Sequence, residues 1–138
     1  MKEPKRGMGA LRWNFAGWFG AQIGSALWMV ILGGILVHKD IIPGLLVLGC
    51  GLMPNVLGVA LWSRRDRIAP YAAIQTLFVV TGLCALLAFV TMDLSGHFGE
   101  LEPHLRNPRY LYALLLVFPP MMATAYVQER SGKNRNTQ

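Results

Sequence analysis

A chain of 138 residues that is 54% hydrophobic and only 14% charged, with a mean hydropathy of +0.40, carries more apolar surface than a soluble domain of that size can hide. A bilayer is the natural solvent for it, and the length gives room for about four membrane helices but none for an anchor plus a separate catalytic domain. The formal net charge of +6 would suit a nucleic-acid-binding face only if basic residues clustered with aromatics on a soluble module, and no such module is present, so no nucleic-acid partner is expected.

Four stretches, 13–37, 41–62, 68–92 and 110–127, contain no Asp, Glu, Lys, Arg or His. At about 1.5 Å per helical residue each is long enough to cross a hydrocarbon core of about 30 Å. The predicted fold is therefore all-α, a polytopic membrane protein with four transmembrane helices in an antiparallel bundle. It divides into a basic cytoplasmic tail (1–12), a transmembrane domain (13–127) and a polar cytoplasmic tail (128–138), with spans near 13–37, 41–62, 69–92 and 109–127.

The first span has an apolar run of 25 residues, whereas a signal-peptide core has roughly 7 to 15, so it is expected to stay in the mature protein. Trp13, Gly17, Gly20, Ala21, Gly24, Trp28 and Ile31 share one helical face, and Gly20 to Gly24 forms a GxxxG match. Small residues let helix backbones approach closely, which is a main source of packing energy in lipid. The stripe Gly17, Gly20, Ala21, Gly24 is thus expected to pack within the bundle first, and to form a seam between protomers second.

His38 and Lys39 leave only a short turn before Asp40, the expected cap of span two, which makes spans one and two antiparallel neighbours. Span two carries Cys50, Pro54 and Asn55. Pro70 opens span three, which holds Gln75 and Cys84 and closes on Asp93. A carboxylate there opposes the helix macrodipole, so Asp93 is expected to pair with Lys39, Arg106 or Arg109. Asn107 and Pro108 read as the cap and first residue of span four, and Pro119-Pro120 interrupts that span.

Pro54 lies eight residues before Trp62, and Pro119-Pro120 about eight before Val127, so both breaks sit roughly 12 Å from the expected cytoplasmic surface. Prolines there free or weaken the carbonyls of Cys50, Leu115 and Leu116. The amides Gln22, Asn55 and Gln75 fall in the same layer. Interrupted helices at matching places in two halves point to a binding site in transporters, which makes Gln22, Cys50, Pro54, Asn55, Gln75, Pro119 and Pro120 a candidate solute site. The plainer reading has the amides as interhelical glue that mends the proline breaks.

Ten of the thirteen Lys and Arg residues lie in the tails and the 63–67 loop, and only Lys39, Arg106 and Arg109 lie on the other side. That asymmetry places both termini in the cytoplasm of a cell with an inner (plasma) membrane. All seven acids lie outside the spans, which argues against proton antiport carried by an intramembrane carboxylate. Cys50 and Cys84 lack the CxxC spacing of quinone-coupled thiol oxidoreductases and read as small apolar fillers, and the methionines read as packing. No span holds a histidine for haem, and no nucleophile sits beside a base, so no enzyme and no cofactor are expected. His97, Glu100, Glu102 and His104 crowd one outer loop and could hold a divalent metal such as Zn²⁺ or sense pH, although their spacing matches no metal motif.

The first functional expectation is a self-associating transport or permeation bundle for a neutral or small solute. The alternative is an accessory or assembly subunit that binds a partner membrane protein, and a weaker one is an outer-face metal or pH sensor. The expected partners are the lipid bilayer and either further copies of the chain or another membrane protein.

Overall fold

The computed structural model describes residues 11–98 and 108–135. They form α1 (Phe15–Val37), α2 (Ile41–Ser63), α3 (Pro70–Leu94), a 3-10 helix (Pro108–Val117) and α4 (Phe118–Arg135). Four helical segments are long and apolar enough to cross a membrane, the fourth running from Tyr110 to Ser131 through both the 3-10 helix and α4. No strand occurs among the described residues.

Local chemistry sets the helix ends. The Asn14 side chain accepts a hydrogen bond from the Gly17 amide and opens α1 two residues inside the sequence-based boundary. Asp40 occupies the cap position of α2, but its side chain makes no cap hydrogen bond. Pro70 stands at the start of α3, where its missing amide hydrogen costs nothing.

Glycines bring α1 and α2 together, and they are not the glycines of the α1 stripe. A Cβ on Gly44 would collide with the backbone of Leu36 and Val37, one on Gly51 would lie 2.7 Å from the Val30 amide nitrogen, and one on Gly58 would run into Gln22. Gly33 meets the Leu48 backbone in the same way from the α1 side. Partner numbers on α1 fall as those on α2 rise, so the two helices run antiparallel. The spacing of seven between Gly44, Gly51 and Gly58 keeps all three on one face, as a heptad does.

The expectation that Gly17, Gly20, Ala21 and Gly24 pack within the bundle is corrected. All four are exposed, and Gly20 and Gly24 have nothing among the described residues within 4 Å of a Cβ position. The buried face of α1 is instead Trp18, Gln22, Ala26, Met29, Gly33 and Leu36. Both faces carry small residues, but only this one pairs them with side chains of α2 that fill the remaining space.

Beyond that pair, α2 packs on α3 and α3 on the fourth segment, while α1 and the fourth segment make no helix-to-helix contact among the described residues. α1 also touches α3, with the Trp28 and Phe89 rings 5.2 Å apart, so the first three helices pack together and the fourth segment joins them through α3. The fourth segment is accordingly the least buried, with 6% of its apolar window inside the fold.

Pro119 and Pro120 do not interrupt an α-helix, as the sequence suggests; they begin one. They occupy the first turn of α4, where absent amide hydrogens leave no bond unmade, and the residues before them take the tighter 3-10 form. At about 2.0 Å per residue for the 3-10 part and about 1.5 Å for the α part, the shortest apolar run reaches about 31 Å instead of about 27 Å. The change of helix type gives it the length of the bilayer core.

Candidate functional site

Two apolar clusters fill the interior. One holds Trp18, Leu61, Ala73 and Leu77, with Trp13, Phe19 and Trp62 against it. The other holds Ala26, Met29, Val47, Cys50, Cys84, Ala88, Phe89 and Phe98, with Trp28 and Tyr112 against it. Along each of the first three helices a polar residue falls between the clusters: Gln22 on α1, Asn55 on α2 and Thr81 on α3.

Gln22 is only 2% exposed. Its Nε2 donates to the backbone carbonyl of Asn55 at 2.7 Å and to Asn55 Oδ1 at 3.3 Å. Asn55 Nδ2 in turn donates to the Gly51 carbonyl of its own helix at 2.8 Å. One turn along, the Trp18 indole donates to the Gly58 carbonyl at 3.1 Å. Pro54, fully buried beside them, supplies no amide hydrogen to the Cys50 carbonyl. Two side chains of α1 therefore bond to backbone carbonyls of α2 within the turn that follows the proline, each such bond stabilising a membrane helix pair by about 0.6 to 2 kcal/mol.

Gln75 joins a different pair. Its Nε2 donates to the Met122 carbonyl at 3.0 Å and so ties α3 to α4. The expected single polar layer is thus two clamps, Gln22 with Asn55 and Gln75 with Met122. Pro119 and Pro120 are exposed at the start of α4.

Three buried side-chain oxygens have no hydrogen-bond partner among the described residues: Gln22 Oε1, Gln75 Oε1 and Thr81 Oγ1. Thr76, Thr91 and Thr124 each return their hydroxyl to a carbonyl four residues earlier, at 2.8, 2.8 and 2.7 Å. Thr81 does not, although it is fully buried. Sequence reasoning missed it because an isolated threonine in a span is ordinarily satisfied by its own helix.

At the outer end, His97 Nε2 lies 3.6 Å from Asp40 Oδ2, which links the segment after α3 to the start of α2. Tyr112 donates to Asp93 Oδ2 at 3.5 Å, an anchor for Asp93 that the charge pairing did not anticipate. Arg106, Glu100, Glu102 and His104 lie outside the described residues, as does the side chain of Arg109. Among the described residues no three of His, Cys, Asp and Glu group as metal ligands. At the opposite end, Trp13, Phe15, Trp18, Phe19 and Trp62 form an aromatic box, with the Arg65 guanidinium 5.2 Å from the Trp62 ring centre. Such amphipathic rings suit a membrane–water interface.

Compared with known proteins, the chain matches no family model, no curated protein and no solved structure.

Proposed function

We propose that this protein is a self-associating membrane assembly subunit, an antiparallel four-helix protein of the plasma membrane with both termini in the cytoplasm. The observation that carries the proposal is the outward-facing Gly17, Gly20, Ala21, Gly24 stripe of α1, left open while the opposite face of the same helix is occupied by α2. The occupant is a second copy of the chain. All copies insert with the same orientation, so the stripe meets its own image in parallel about a twofold axis, the geometry in which small-xxx-small faces approach closest. The basic residues at the 63–67 loop and both tails support the orientation.

In native membranes, cross-linking followed by mass determination is expected to give a dimer or higher multiple of the chain. Gly20→Leu and Gly24→Leu should return it to the monomer without loss of its own helices. A lone monomer in the unaltered protein would overturn the proposal, and a complex with a different protein through the same face would replace self-association by an accessory role.

The second reading is a permeation bundle, supported by the unpartnered acceptors of Gln22, Gln75 and Thr81, which offer oxygen to a neutral hydrogen-bond donor. Flux of small neutral solutes into proteoliposomes tests it; it requires a flux that Asn55→Leu or Thr81→Val reduces while insertion persists.

A further inference from the structure

The tertiary structure brings together three sulfur atoms that are scattered in the sequence. Cys84 Sγ of α3 lies 3.8 Å from Met53 Sδ of α2. Cys50 and Cys84 belong to the same buried cluster, where α2 packs on α3. Cys50 and Met53 stand three residues apart on α2, hence on neighbouring positions of one helical face. Both thiols are buried, each 6% exposed, in the apolar cluster at mid-helix.

We propose that Cys50, Met53 and Cys84 form a binding site for a soft monovalent metal ion, Cu(I). A metal–sulfur bond of about 2.3 Å in a trigonal plane puts neighbouring sulfurs about 4.0 Å apart, close to the Cys84–Met53 separation already present. Thiol and thioether ligands select soft ions, and the buried cluster around the two cysteines contains no carboxylate or imidazole to attract a harder one. Zinc would also require a fourth ligand.

Charge favours the same ion. Cu⁺ replaces one proton on one thiol, giving a copper–thiolate bond, and the proton leaves to solvent. No electron moves. The remaining thiol and the thioether complete the coordination as neutral donors, so a site that was uncharged remains uncharged, as a low-dielectric interior demands. Met53 is 58% exposed at the edge of the site, and its three rotatable bonds let the thioether swing onto or off the ion.

The test is titration of the purified full chain under argon with Cu(I) held by a chromophoric chelator. The expected result is one copper and one released proton per chain, with X-ray absorption reporting a three-coordinate sulfur shell. Cys50→Ser and Cys84→Ser should each weaken binding by roughly 100-fold and Met53→Leu by roughly 10-fold, while the distant Met121→Leu leaves it unchanged. Failure to take copper from the chelator, a shell of nitrogen or oxygen in the unaltered protein, or undiminished binding in a Cys50→Ser, Cys84→Ser double variant would overturn the proposal. The absorption measurement on the unaltered chain tests the site whether or not the variants fold.

Discussion

The Gln22 side chain fills the space that a Cβ on Gly58 would need. A buried amide on one membrane helix is thus accommodated because the facing helix has no side chain there. From this seat Gln22 Nε2 reaches the Asn55 carbonyl one turn away, and the carbonyl of Gly58 itself takes the Trp18 indole hydrogen. Close backbone approach and interhelical hydrogen bonding are one feature here, since neither donor would reach its acceptor if the helices stood farther apart.

Gly58→Ala is expected to expel the Gln22 amide and destabilise the α1–α2 pair by about 2 to 3 kcal/mol, the usual cost of overpacking a tight contact. Gly49→Ala, on a face with nothing within 4 Å, serves as the control and should be neutral or stabilising by up to about 1 kcal/mol. Reversible unfolding in mixed micelles, followed by tryptophan fluorescence, compares them. Equal stability of the two variants would show that Gly58 is not a contact glycine.

Gln22→Leu removes both bonds to Asn55, whereas Asn55→Leu removes only the longer one, because the 2.7 Å bond goes to the backbone. Gln22→Leu should therefore cost about 1 to 2 kcal/mol, more than the loss of the Asn55 amide takes from this interhelical bond, and the double-mutant coupling should stay below about 0.6 kcal/mol. The same unfolding assay gives all three values. A coupling as large as the Gln22→Leu effect itself would mean that the side-chain bond dominates.

Gln75→Leu is expected to loosen α4 from α3 while leaving α1 and α2 in place. Among the described residues the fourth segment packs on α3 and on no other helix, so losing one bond worth about 0.6 to 2 kcal/mol removes a large share of its attachment. Amide hydrogen exchange should rise within 118–127 and remain unchanged within α2. Uniform acceleration across the chain would contradict this local role.

Replacing Pro119 and Pro120 together by Ala restores two amide donors and should let the α-helix extend back through the 3-10 segment. Spin labels at Leu111 and Val127 should then move closer by about 3 Å, since each converted residue shortens the rise by about 0.5 Å. An unchanged distance would place the cause of the 3-10 form outside the proline pair.

The sequence by itself determined that there are four apolar helices and where they lie, because the bilayer imposes one requirement, an uncharged run of sufficient length, that can be counted along the chain. The seven-residue spacing of Gly44, Gly51 and Gly58 was also there to be read. α1 carries a denser GxxxG pattern, and spacing alone does not say which small face has a partner. Gln22, Asn55 and Gln75 were legible as polar residues in lipid, but only the tertiary structure sorted them into two clamps, left the Thr81 hydroxyl without a partner among the described residues and set Cys84 beside Met53. Those outcomes depend on how the helices are rotated about their axes. In membranes that rotation is decided by side-chain fit between helices rather than by hydrophobicity, since every face of these helices is nearly equally apolar.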